Sequence, residues 1–127
     1  MKLHIMENTG RIRKSVKATG VPERSSRSSA RWAKDYFKVP IKELCKQIQK
    51  ISKYPIDSSY PSYSREGSAY TGIHFQIQAG YTSLVEININ LDTNVVTIYT
   101  IPDAYADDEF IALQKKAVDI IANNVKQ

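Results

Sequence analysis

The fold is decided between residues 70 and 101. There the chain reads Thr71-Gly-Ile-His-Phe-Gln-Ile-Gln78, then Ser83-Leu-Val-Glu-Ile-Asn-Ile-Asn90, then Val95-Val-Thr-Ile-Tyr-Thr-Ile101. In the first two segments apolar and polar residues alternate with a period of two. That pattern turns one side of a strand towards a core and the other towards water. The third segment is β-branched and aromatic nearly throughout, which suits a pleated, half-buried surface. The linkers Ala79-Gly-Tyr-Thr82 and Leu91-Asp-Thr-Asn94 are short enough to join only antiparallel neighbours. The spacing predicts a three-stranded antiparallel meander over about 70–101.

Working outward, two amphipathic patterns flank the meander. Before it, Ser28 or Ser29 can cap a helical stretch carrying Trp32, Tyr36 and Phe37. Pro40 interrupts that stretch and suits the first turn of a second helix. Ile41, Leu44, Cys45, Ile48 and Ile51 then recur at helical spacing, with Lys42, Lys46, Lys50 and Lys53 off the stripe. After the meander, Pro102 ends the last strand, and Asp107-Asp-Glu109 puts negative charge where a helix begins. Phe110, Leu113, Ala117, Ile120, Ile121 and Val125 supply that helix with an apolar face. The expected fold is α+β. The meander is packed on one face by an N-terminal helical region (about 29–53) and a C-terminal helix (about 107–124). Residues 54–69, rich in serine, tyrosine and proline, read as a long loop.

Charge divides the chain differently. Of its 127 residues, the first 40 carry ten Lys or Arg against three acidic residues, and the remainder eight against ten. Residues 1–28 therefore read as a basic, largely irregular arm, with a possible short strand at 2–6, and residues 29–127 as one α+β domain. The segment 7–28 holds few large apolar residues to offset the entropy of ordering it. The single cysteine, Cys45, excludes an internal disulfide and sits on the apolar stripe of its helix. No apolar run approaches the roughly 18 residues of a membrane span, and Met1–Asn8 turns polar too early for a secretory leader. The expectation is a cytoplasmic protein with no membrane insertion. Nothing in the sequence fixes an oligomeric state.

Three groups of residues bear on chemistry. The outward face of the meander collects His74, Gln76, Gln78, Glu86, Asn88 and Asn90. If Val96 and Ile98 point inward, Thr97 and Tyr99 join them; the opposite register reverses this. A histidine and a carboxylate on adjacent strands form a general acid–base pair suited to cleaving RNA without a metal. Under that reading His74, Glu86 and Tyr99 are the catalytic candidates. The arm, with Arg11, Arg13, Lys14, Lys17, Arg24, Arg27 and Arg31, offers phosphate contacts that carry no sequence preference. Tyr60 and Tyr63 in the 54–70 loop could stack on unpaired bases. There is no glycine-rich phosphate loop and no zinc-ligand spacing, and His4 and His74 are the only histidines. No metal or cofactor is expected.

The order helix–strand–strand–strand–helix over 39–124 resembles that of double-stranded-RNA-binding domains. Those domains set lysines at the start of the last helix, where this chain has Asp107-Asp-Glu109, so their function does not carry over. Small bacterial ribonuclease toxins show a similar architecture, and architecture alone does not fix function. The leading reading is a non-enzymatic binding protein whose arm engages nucleic acid or, failing that, an acidic protein. A small toxin-like ribonuclease is the second reading. The third is a protein-interaction module such as a phage- or plasmid-borne inhibitor or an immunity-type protein.

Overall fold

In the computed structural model, residues 12–22, 31–58, 62–66, 69–104 and 106–127 are described. The three expected strands are present as β4 (Ala69–Ala79), β5 (Thr82–Asn90) and β6 (Val95–Tyr99). β4 pairs antiparallel with β5, and β5 with β6. The alternation does what it predicts. Ile73, Ile77, Val85, Ile87, Ile89, Val96 and Ile98 are at most 1% exposed, and they face the same side. Ile73 sits opposite Ile89, Phe75 opposite Ile87, and Ile87 opposite Ile98. Such cross-strand apolar pairs stabilise a sheet while covering its face. Gly80 at the first hairpin and Asn94 at the second take left-handed backbone angles, with φ of 65° and 60°, residue types that tolerate that region best.

The sheet is larger than a three-stranded meander. It is an open antiparallel sheet of six strands, and the class remains α+β. Three short strands complete it: β1 (Arg13–Lys17), β2 (Ile56–Ser58) and β3 (Ser62–Glu66). β1 lies against β6, so residues 13–17 are ordered backbone and not part of an irregular arm. Its N-terminal end is fixed by reciprocal bonds: Thr100 donates its N–H to the Ile12 carbonyl, and the Thr100 hydroxyl accepts from the Ile12 N–H, both at 2.9 Å. An edge strand needs only one covered face, and Ile12 and Val16 supply it by packing against the core. β2 and β3 lie in tandem along the outer side of β4, which at 11 residues is long enough for both. Most of the expected 54–69 loop is therefore sheet edge, because backbone pairing to β4 replaces apolar content as the organising force. The possible strand at 2–6 lies outside the described residues.

Two α-helices pack against the sheet. α1 (Ile41–Gln49) starts at Pro40, as its fixed φ favours, and buries Leu44 and Ile48 completely. Cys45 is half-buried against the core. Ile51 falls beyond the helix end and is 44% exposed, so it leaves the apolar stripe. A short 3-10 helix (Arg31–Tyr36) precedes α1. α2 (Asp108–Asn123) is capped by Asp107, whose carboxylate accepts from the Phe110 N–H at 2.8 Å. It packs on β1, β5 and β6. Gln114, buried within it, donates to the Leu84 carbonyl on β5. The chain end is stitched back: Lys126 donates to the Tyr36 carbonyl, Thr19 to the Lys126 carbonyl, and Lys38 to the Asn124 carbonyl. Among the described residues no helix is long and apolar enough to cross a membrane.

Candidate functional site

With both helices on the apolar side, no described helix covers the polar side of the sheet. Register sets its side chains in rows. The first row runs Arg13, Tyr99, Glu86, Gln76 across β1, β6, β5 and β4. The second runs Ser15, Thr97, Asn88, His74, Ser62, reaching β3. The third runs Lys17, Val95, Asn90, Gly72, Ser64. Ser15 and Thr97 hydroxyls meet at 3.2 Å. Gly72 makes room in its row: a Cβ there would lie 2.6 Å from Ser64 Oγ and 3.3 Å from Asn88 Oδ1.

Glu86 is the centre of the first row. It is only 6% exposed, although it lies on the polar side. A buried carboxylate needs hydrogen-bond donors to offset its lost hydration. Among the described residues it has three: Tyr99 donates its hydroxyl to Oε1 at 3.2 Å, Gln76 donates Nε2 to Oε2 at 3.2 Å, and Ser83 donates Oγ to Oε2 at 3.4 Å. The Arg13 guanidinium stands over the Tyr99 ring, 5.8 Å from its centroid, a cation–π distance. His74, half-buried, lies two residues along β4 from the partner of Glu86. Diagonal neighbours of this kind are about 7–8 Å apart. Arg13, His74, Glu86, Asn88, Thr97, Tyr99 and Ile101 line one open hollow of about 430 Å³.

The arm's candidates separate. Arg13 and Lys17 are exposed on the polar side. Lys14 projects to the other side, where its Nζ is 3.7 Å from Asp119 on α2. Arg31 lies in the 3-10 helix. Arg11, Arg24, Arg27 and Tyr60 lie outside the described residues. Tyr63 pairs with Ile73 on the inner side and packs against the core, so it is no part of the polar face. His74, Glu86 and Tyr99 fall together on the hollow, since Val96 and Ile98 point inward.

Sequence reasoning missed Ser83, and it named Arg13 as a phosphate contact of the arm without placing it in this cluster. Ser83 reaches Glu86 because the β4–β5 register shifts at Ile77/Gln78, bringing Ser83 opposite Gln78. Arg13 joins the row only through β1. The faint signal for that strand is the spacing Ile12, Val16, Ala18, which Lys14 interrupts. Comparison with protein-family models, with curated proteins and with solved structures finds no match to this chain.

Proposed function

We propose that this protein binds single-stranded nucleic acid on the polar face of its sheet. The observation that carries the reading is the edge strand β1, which aligns Arg13 and Lys17 with rows of hydroxyl, amide and imidazole side chains on neighbouring strands. Cations at one edge attract a phosphate backbone through counterion release, without sequence preference. Side chains such as Ser15, Thr97 and Asn88 offer hydrogen bonds to phosphate and sugar oxygens. The chain's net charge of +5 favours the same class of partner.

The test is the salt dependence of oligonucleotide binding. Removing residues 1–28 would also remove β1 and expose β6, so point substitutions are preferable. For single strands, each lost phosphate contact lowers the slope of log K against log salt by about 0.7. The Arg13→Gln/Lys17→Gln double variant should lower it by roughly 1.4 while keeping the native melting temperature. An unchanged slope would remove the sheet face from the binding surface. Binding that instead tracks an acidic protein and survives nuclease treatment favours the protein-interaction reading.

A further inference from the structure

We infer that the hollow around Glu86 cleaves RNA by internal transesterification, which makes RNA and not DNA its substrate. This rests on the nucleic-acid reading above and assigns it a reaction. Cleavage of an RNA strand by its own 2′-hydroxyl needs three things: a base for the 2′-O–H, an acid for the departing 5′-oxygen, and positive charge near the phosphorane-like transition state. The base and the acid must flank the phosphorus. His74 and Glu86 are diagonal neighbours on adjacent strands, a placement that sets their backbones roughly 7–8 Å apart, and both side chains line the same hollow. Arg13, held over Tyr99, supplies the cation at the same hollow.

The hydrogen bonding distinguishes the two roles. A carboxylate offers about four acceptor sites. Two donors, Gln76 and Ser83, meet Glu86 at Oε2, and one, Tyr99, at Oε1. Among the described residues, this leaves acceptor capacity on Oε1 for one more hydroxyl. The 2′-O–H gives its proton to Glu86, and the 2′-oxygen forms a bond to phosphorus. The bond from phosphorus to the 5′-oxygen breaks, and that oxygen takes a proton from the His74 imidazolium. One strand becomes two, ending in a 2′,3′-cyclic phosphate and a 5′-hydroxyl. No atom or electron is gained or lost, and the side chains recover their protonation states by exchange with water. Tyr99, Gln76 and Ser83 are positioning residues that hold the carboxylate.

The experiment uses the full chain, EDTA, low salt and a fluorescent single-stranded RNA of mixed sequence. Binding is followed by anisotropy and products by mass spectrometry. The expected result is fragments carrying the 2′,3′-cyclic phosphate and the 5′-hydroxyl. The same sequence as fully 2′-O-methylated RNA, or as DNA, should be bound and left intact. His74→Ala and Glu86→Gln, each shown to be folded by circular dichroism, should slow cleavage at least about 100-fold. Because a substitution at buried Glu86 can itself unfold the chain, the 2′-O-methyl strand tests the same step on the unaltered protein. RNA that is bound yet intact overturns the cleavage inference and leaves the binding reading standing. RNA that is neither bound nor cut overturns both. Cutting of the 2′-O-methyl strand refutes the transesterification, and full activity in His74→Ala refutes the assignment to this hollow.

Discussion

Replacing Tyr99 by Phe removes one oxygen atom and tests whether the first row of the polar face is a coupled unit. The Tyr99 hydroxyl donates to Glu86 Oε1, and Glu86 is nearly buried. A hydrogen bond to a charged group contributes about 1.5–3 kcal/mol net. The observed 3.2 Å is longer than the ~2.7 Å typical of hydroxyl donors, so the lower end applies, about 1.5 kcal/mol. For 127 residues, ~2.1 cal/mol/K per residue gives an unfolding entropy near 0.27 kcal/mol/K. The melting temperature should therefore fall by about 6 °C. Thr97→Val is the control. It sits one row away, and among the described residues its hydroxyl meets only the exposed Ser15, so it should cost less than about 0.5 kcal/mol. Urea and thermal unfolding at neutral pH measure both variants. A double-mutant cycle with Glu86→Gln should show coupling of at least ~0.5 kcal/mol between the two positions. A Tyr99→Phe protein as stable as the parent, with no coupling to Glu86, would refute the view that Tyr99 holds this carboxylate.

Two further outcomes follow from single sites. Gly72→Ala puts a Cβ 3.2 Å from the Ile89 carbonyl, a backbone atom held in the sheet that would have to give by a few tenths of an ångström, and against the Ser64 hydroxyl, which can rotate away. Overpacking costs about 1–3 kcal/mol and the stiffer unfolded chain returns about 0.4–1, so unfolding in urea should show a net loss; a gain in stability would contradict the geometry. Lys53 is held above the ordinary lysine range, first by its hydrogen bond to Glu109 at 2.8 Å. A raised lysine pKa stabilises the fold fully below the unfolded value of about 10.4 and loses that contribution as pH rises through the folded value. Both side chains are mostly exposed, so the effect is small and weakens in salt. The stability difference between the parent and Lys53→Met should therefore stay constant from pH 7 to about pH 9.5 and vanish at higher pH; a difference that grows with alkalinity would contradict the pairing.

Much of the fold was legible because it is written locally. Period-two alternation in 71–78 and 83–90 assigns Ile73, Ile77, Val85, Ile87 and Ile89 to the core, and it puts His74 and Glu86 on the opposite side. Pro40 and Asp107 mark the starts of both helices through backbone chemistry that needs no tertiary partner. The third strand was ambiguous, since both its faces are apolar enough. Burial of Val96 and Ile98 resolves it and brings Tyr99 to Glu86.

The sequence by itself determined the class, the central strands, the helices that cover them and the common face of His74 and Glu86. Only the tertiary structure decided that β1, β2 and β3 are strands, and hence that Arg13 completes the hollow. The reason is physical. A central strand must bury a face, so it carries a repeating apolar signal. An edge strand is held largely by hydrogen bonds to a neighbour's backbone, and those groups are the same for every residue except proline. Ser15 and Thr97 stand 82 residues apart in the chain, and no local pattern records that they meet.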